Sequence, residues 1–185
     1  MKKLLLCSLG FVVSFILIFS MVRCEKDDIC VPEEKKTPLL SIYFFDKDNT
    51  QIPKVVNNLE IVGTDFVAVE GHVPLAFNAV SEIKIPLKVD ADETSFYFYL
   101  NARNTNLSLR NADKVVINYT RNDVYISRAC GYKTNFKLNF LNPFVVSDAP
   151  DTENYPNGTG NWIQNVTIVN TEINQDETPH IYIYF

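Results

Sequence analysis

The chain has 185 residues, and a hydrophobic content of 46% argues against wholesale disorder. It contains 17 Lys and Arg residues against 22 Asp and Glu residues, which gives a formal net charge of −5. An acidic chain is poorly suited to nucleic acid, which needs clustered basic residues, and charge alone does not draw it to anionic lipid. Length and composition together predict one folded domain with a hydrophobic core.

Residues 1–23 are predicted to be a signal peptide. Two lysines near the start supply positive charge, and Leu4–Val22 then forms an apolar run of 19 residues without a charge. An uncleaved membrane anchor and simple secretion are the alternatives, because a run of this length can also span a bilayer. Cys24 directly follows the leader and is interpreted as the lipid-bearing first residue of the mature protein. Arg23 departs from the small residue that lipoprotein processing favours.

Four cysteines occur, at Cys7, Cys24, Cys30 and Cys130. Cys7 leaves with the leader, and a lipid on Cys24 leaves Cys30 and Cys130 as an even pair in an oxidising compartment. We therefore predict a disulfide between them, with two free buried thiols as the alternative. The bridge would close a loop of about 100 residues and stabilise the fold by about 4–5 kcal/mol in the chain-entropy model. No metal site is predicted, since C-x-x-C spacing is lacking and only two histidines exist.

The mature chain is predicted to have two parts. Residues 24–36 are the lipidated N-terminus and a charged tether, and residues 37–185 are an all-β domain. Runs rich in Val, Ile, Thr, Tyr and Phe alternate with polar residues there, and helical spacing is missing. So many short strands predict a single antiparallel β-sandwich or a closed barrel, and we favour the sandwich. The candidate strands are 40–45, 55–62, 66–69, 73–80, 83–89, 94–100, 115–120, 123–130, 133–140, 163–169 and 180–185.

Three local signals refine this pattern. Pro86 cannot donate to a strand ladder, so its strand is expected at a sheet edge. Residues 120–123, Thr-Arg-Asn-Asp, predict a hairpin-like break between two strands. Residues 148–160 are rich in Asp, Pro, Asn and Gly and predict a long loop. In the last strand, alternation places His180 on the polar face.

Four segments carry a resemblance to a known family: Cys24–Cys30 followed by Thr37-Pro38-Leu39 and a strand ending at Phe45-Asp46, then Asp123–Tyr132, Asn161-Trp162-Ile163 and His180–Phe185. Over most of residues 24–185 the chain resembles DUF6452, a family of uncharacterised small lipoproteins of Bacteroidota. The resemblance implies lipidation at Cys24 and a β-rich domain, and it implies no activity. Arg23 stands where the family usually has a small residue.

A lysine followed by acids lies just after the proposed lipid site, at Lys26, Asp27 and Asp28. In that group of bacteria such a triplet resembles a signal for export to the cell surface. The alternative is a solvated, charged tether.

No catalytic constellation is found, so no enzyme and no cofactor are predicted. A hydrolase needs a nucleophile, a base and an orienting acid, and His72 and His180 are the only imidazoles. We interpret both as exposed or singly hydrogen-bonded. Asp46 and Asp48 resemble a fragment of a calcium loop, but a turn is the plainer interpretation because Asp favours turns.

Aromatic residues suggest a glycan-stacking platform formed by Trp162, Tyr125, Tyr132, Tyr155 and Tyr182. Tyr155, in the long loop, is expected to be exposed, and Tyr155 and Trp162 are the candidate ligand-binding residues. The alternative is that Trp162 caps the core and that several tyrosines are half-buried with wet hydroxyls.

These observations predict a non-enzymatic lipoprotein of the cell envelope that serves as a binding or accessory module. It is expected to be anchored in the outer membrane by palmitate-type acylation and to face the periplasm or the cell surface. Its expected partners are the membrane, through the lipid, and an envelope protein complex or a glycan; nucleic acid is not one. A small integral outer-membrane β-barrel and an envelope hydrolase with an unorthodox site are the alternatives.

Overall fold

A computed structural model describes residues 30, 36–66, 74–155, 160–175 and 178–185. The signal peptide, the lipidation site Cys24, the export triplet Lys26, Asp27 and Asp28, and His72 lie outside the described residues. Contacts between residues divide the chain into two compact units: Met1–Lys36 with Tyr125–Tyr132, and Thr37–Val124 with Lys133–Phe185.

Eleven strands are assigned within the described ranges. In chain order they are β1 (Leu40–Phe45), β2 (Val56–Gly63), β3 (Leu75–Val80), β4 (Glu82–Ile85), β5 (Glu93–Leu100), β6 (Asn111–Ser127), β7 (Gly131–Leu138), β8 (Phe144–Asp148), β9 (Asn165–Ile168), β10 (Glu172–Ile173) and β11 (Ile181–Tyr184). A short 3-10 helix, Leu107–Leu109, precedes β6.

The strands form two sheets, and the predicted β-sandwich is confirmed. One sheet has the order β4-β1-β11-β9, and the other has the order β10-β7-β6-β5-β2-β3 with β8 also paired to β6. The C-terminal strand β11 lies parallel to β1, whereas the pairs β1-β4, β2-β3, β2-β5, β5-β6, β6-β8, β7-β10 and β9-β11 are antiparallel. β4 lies at a sheet edge and ends just before Pro86, as that proline predicted.

The core is built from the alternating apolar residues of both sheets. On β1 the pattern Leu40, Ile42 and Phe44 is fully buried, and on β5 Phe96 and Phe98 are buried while Tyr97 and Tyr99 stay half-buried on the other face. Burial of each such large side chain contributes about 1.5–3 kcal/mol. Other core members are Leu59, Ile61, Ile83, Ile85, Val115, Ile117, Tyr119, Phe136, Leu138, Ile173, Ile181 and Ile183.

The predicted hairpin-like break at residues 120–123 is wrong. These residues do not separate two strands but lie within β6, a continuous strand of 17 residues. Long-range partners stabilise the polar residues there. Arg121 Nε donates to Asp92 Oδ1 at 2.7 Å, and Thr134 Oγ1 on β7 donates to Asp123 Oδ1 at 2.7 Å. These contacts outweigh the local turn preference, because strand preference depends on the cross-strand neighbours.

Candidate functional site

The predicted cysteine pair is joined: Cys30 and Cys130 form a disulfide with their Cα atoms 4.9 Å apart, inside the usual range for this bond. Cys130 lies in the turn between β6 and β7, where its amide donates to Ser127 Oγ at 3.0 Å. Gly131 follows with a φ of 73°, a conformation that glycine adopts without a steric penalty. The bond therefore fastens the N-terminal segment to this turn.

Trp162 is a core residue, so the alternative that it caps the core is confirmed and it is not an exposed ligand-binding side chain. Only 6% of it is exposed, and its ring packs against Phe44 and Phe185 at centroid distances of 6.4 and 5.5 Å. The indole Nε1 donates to the carbonyl of Phe98 at 3.0 Å. A stacking platform needs an accessible ring face, and this indole has none to offer.

Tyr155 is half-buried, so the expectation that it is fully exposed is also corrected. Its ring lies 4.2 Å from the ring of Tyr99, and the guanidinium carbon of Arg110 lies 5.7 Å from its centroid. Burial, with a smaller contribution from Glu60, raises the pKa of its hydroxyl. Tyr155 therefore extends the row of Tyr97 and Tyr99 on the outer face of β5.

Tyr182 belongs to a different aromatic group, on the outer face of the four-stranded sheet. Neighbouring rings there are Tyr43 at 6.2 Å and Phe45 at 4.8 Å, and Tyr184 lies 5.9 Å from Phe45. All four are half-buried because each covers part of its neighbour. The structure thus separates Trp162, Tyr155 and Tyr182, which the sequence had grouped. Of that group it brings together only Tyr125 and Tyr132, which are both exposed, with their ring centroids 5.3 Å apart.

His180 is fully buried, so its predicted place on an exposed polar face is wrong, whereas the alternative of a hydrogen-bonded structural imidazole holds. Its Nδ1 accepts from the Ser41 amide at 3.0 Å, so the ring is held as a structural acceptor beside β1. Asp46 confirms the turn interpretation, because its Oδ1 accepts from the amides of Asp48 and Asn49 at 2.8 and 3.0 Å. These bonds hold the pKa of Asp46 below its usual range.

The start of β6 carries a buried carboxylate. Asp113 is 0% exposed, and its two oxygens accept from the amides of Trp162 at 3.3 Å and Ile163 at 2.8 Å. Asn111 Nδ2 donates to the Gly160 carbonyl at 2.7 Å, so β6 holds the 160–163 segment at several points. Burial outweighs these hydrogen bonds and raises the pKa of Asp113 to about 7.

A polar cleft of about 380 Å³ lies where β10, β7 and β6 are neighbours in the larger sheet. β6 contributes Thr120 and Asn122, and β7 contributes Asn135 and Lys137. β10 contributes Glu172, and Asn174 follows one residue past its end. Within each pair the two residues are two positions apart, so their side chains point to the same face of the sheet. The intervening residues Tyr119 and Ile173 are buried on the other face, and Phe136, which belongs to the core, also borders the cleft. The cleft is lined by Thr120, Asn122, Asn135, Phe136, Lys137, Glu172 and Asn174.

The polar cleft offers many hydrogen-bonding groups and little net charge. Lys137 Nζ and Glu172 Oε1 form an ion pair at 2.6 Å, so the two charges of the cleft neutralise each other. Three carboxamides remain, each with one acceptor oxygen and two N–H donors. Asn135 lies on β7, the central strand of the three; its Oδ1 is buried and accepts no hydrogen bond within the described part of the chain.

Sequence reasoning missed this cleft because two of its residues, Thr120 and Asn122, fell in the wrongly predicted turn. A signal was present, since polar residues recur at every second position in 118–122 and again in 133–137. What the sequence did not show is that these two runs become neighbouring strands.

Among the described residues, no group of three or more His, Cys, Asp or Glu side chains is placed to hold a metal ion. Within the same ranges, no helix has the length and hydrophobicity that crossing a membrane requires.

Comparison with known proteins gives one match. Residues 54–185 match the sequence model of DUF6452, described as a family of unknown function, which covers more than two thirds of the chain. No curated protein and no solved structure matches the chain. The family itself is therefore confirmed, over residues 54–185.

Proposed function

The chain belongs to the DUF6452 family, and from this premise we propose that it is a non-enzymatic binding module of the cell envelope, anchored by a lipid on Cys24. The anchor belongs to the outer membrane, with the β-domain on the periplasmic face or at the cell surface. Lys26, Asp27 and Asp28 favour the surface. This agrees with the resemblance to lipoproteins of Bacteroidota.

The observation that carries the proposal is the disulfide between Cys30 and Cys130. Disulfides persist in oxidising compartments such as the bacterial periplasm and the cell surface, whereas cytosolic thiols are kept reduced. The uncharged run Leu4–Val22 provides a route to such a compartment, and Cys24 stands directly after the leader.

A binding role is supported by the kinds of groups on the surface. The polar cleft gathers carboxamides, a hydroxyl and a neutralised ion pair, which suit recognition by hydrogen bonds.

The non-enzymatic half of the proposal is supported by His180. It is buried as an acceptor for the Ser41 amide, which is a structural use of the imidazole.

Intact-mass analysis of the protein purified from its native membranes tests the proposal. We expect a chain that begins at Cys24 and carries a diacylglycerol thioether together with an N-terminal acyl group. Cys24→Ser should abolish the modification, whereas Cys7→Ser, in the leader, should leave the mature mass unchanged. A mass that includes Met1, or an unmodified sulfur at residue 24, would refute the anchor.

A further inference from the structure

We propose that the polar cleft binds a neutral sugar unit of a glycan. This inference rests on the proposed function and names the ligand class of the binding module. The residues that carry it are Thr120, Asn122, Asn135 and Asn174, together with the Lys137–Glu172 pair.

Charge selects a neutral ligand. Lys137 is tied to Glu172 at 2.6 Å, and the two residues are also register partners across β7 and β10. A phosphate or carboxylate would need an excess of cationic donors, and a cation would need several anionic oxygens. The cleft presents one charge of each sign, already paired, so neither kind of ion finds the excess that it requires.

Hydrogen bonding selects a hydroxylated ligand. A sugar hydroxyl donates one hydrogen bond and accepts others, and a carboxamide does both as well, so the two match in either direction. Asn135 Oδ1 in particular is a buried acceptor without a partner among the described residues, so a hydroxyl donor that reaches it from the cleft is favoured. An apolar ligand would leave this oxygen and the other amides unpaired, which disfavours it strongly.

The site is also held in place before any ligand arrives. Its side chains extend from three adjacent strands or their immediate ends, and Tyr119, Phe136 and Ile173 are buried beneath them in the core. Side chains on a packed sheet lose little freedom on binding, so less affinity is lost to ordering. A volume of about 380 Å³ lies within the range of small-ligand sites, about 300–1,000 Å³.

The test uses the purified full-length protein on an array of neutral oligosaccharides (glucans, mannans, galactans and chitin fragments) with acidic glycans alongside. Titration calorimetry then gives the affinity for the best ligand. Asn135→Ala and Asn122→Ala should each weaken binding about tenfold, since each removes a carboxamide that hydrogen-bonds the sugar. Asn78→Ala is the matched control, because Asn78 is an exposed asparagine on β3 of the same sheet.

Binding of a neutral oligosaccharide that is weakened in both cleft variants and unchanged in the control supports the inference. It is overturned if no neutral oligosaccharide binds, or if Asn135→Ala and Asn78→Ala bind equally. It is also overturned if only acidic glycans bind and Lys137→Gln abolishes that binding. Asn122 is exposed on the outer face, so loss of binding in Asn122→Ala is not a folding defect. The lipid anchor is tested separately by the mass of the native protein, so a negative result for glycan binding does not refute the anchor.

Discussion

The larger sheet carries two groups of polar side chains whose surroundings differ. The Asp113 carboxylate is buried under the 160–163 segment, and each of its oxygens accepts a backbone hydrogen bond. The polar cleft lies on the outer face, and there Asn135 Oδ1 accepts no bond from the residues that the structure describes. Both groups depend on β6, which supplies Asp113 near one end and Thr120 and Asn122 further along.

The difference separates polar groups that hold the fold from polar groups that are available to a partner. A buried carboxylate whose partners are backbone amides has its hydrogen bonds satisfied inside the protein, so its loss should be felt in stability. Carboxamides on an open face can be removed at little cost to folding, so their loss should be felt in binding. Four measurements test this contrast.

The largest expected effect lies in the disulfide and gives the scale for the other three. Replacing both Cys30 and Cys130 by Ser should lower the free energy of unfolding by about 4 kcal/mol, because the bond closes a loop with a sequence separation of 100. Urea unfolding followed by the fluorescence of Trp162 measures it. A loss below about 1 kcal/mol would mean that the loop is already restricted in the unfolded chain.

Asp113→Ala should lower the free energy of unfolding by about 2–4 kcal/mol, since the amides of Trp162 and Ile163 lose their acceptors inside the core. Asp148→Ala is the control, because Asp148 is exposed on β8 and is the register partner of Asp113. It should change stability by no more than about 0.5 kcal/mol. Equal effects in the two variants would contradict the structural role of Asp113.

Titration of Asp113 should make the free energy of unfolding depend on pH. Its folded pKa of about 7 is above the ordinary value of 3.8, so between these values the unfolded chain binds fewer protons than the folded one. This group therefore contributes full stability below about pH 4, and that contribution falls as the pH rises toward 7, by up to about 1.4 kcal/mol per pH unit.

Asp113→Asn should remove that slope while Asp148→Asn retains most of it. Urea midpoints at several pH values between 4.5 and 7 provide the measurement. The lowered pKa values of Asp46 and Asp65 act below this window, because their stabilising effect is lost only as acid protonates them. A wild-type slope that Asp113→Asn leaves unchanged would assign the titration to another group.

The smallest effect on stability is expected for the polar cleft. Asn135→Ala should lower the free energy of unfolding by no more than about 0.5 kcal/mol, and any larger change should be stabilising, because it removes a buried acceptor that has no partner among the described residues. Thermal unfolding compared with the Asn78→Ala variant is sufficient to measure it. A loss as large as that of Asp113→Ala would make Asn135 a structural residue and erase the contrast.

The fold was predictable where one signal dominated. Leu40, Ile42 and Phe44 alternate with residues on the other face, and Pro86 limits its strand to an edge, so strand type and position followed from local chemistry. The parallel pairing of β11 with β1 was not predictable, because it joins residues about 140 positions apart whose pattern would suit either direction.

The polar cleft was not predictable because local turn preference and long-range strand pairing compete in residues 120–123. Thr120 to Asp123 prefer a turn locally, yet β7 and Asp92 provide cross-strand partners that extend β6 through them. For Trp162 the sequence left two interpretations open, an aromatic platform and a place in the core, and the contacts with Phe44 and Phe185 decide for the core. In both cases the deciding contacts come from distant parts of the chain.

The bond between Cys30 and Cys130 also shortens the tether between residue 24 and the β-domain. Only six residue steps separate residue 24 from residue 30, which at full extension reach about 20 Å, against about 45 Å for the thirteen steps to Thr37. With an acyl chain on Cys24, the hairpin tip that holds Cys130 could drift no further than about 20 Å from the bilayer surface. Reduction of that one bond would extend the tether to Thr37 and more than double its maximum length.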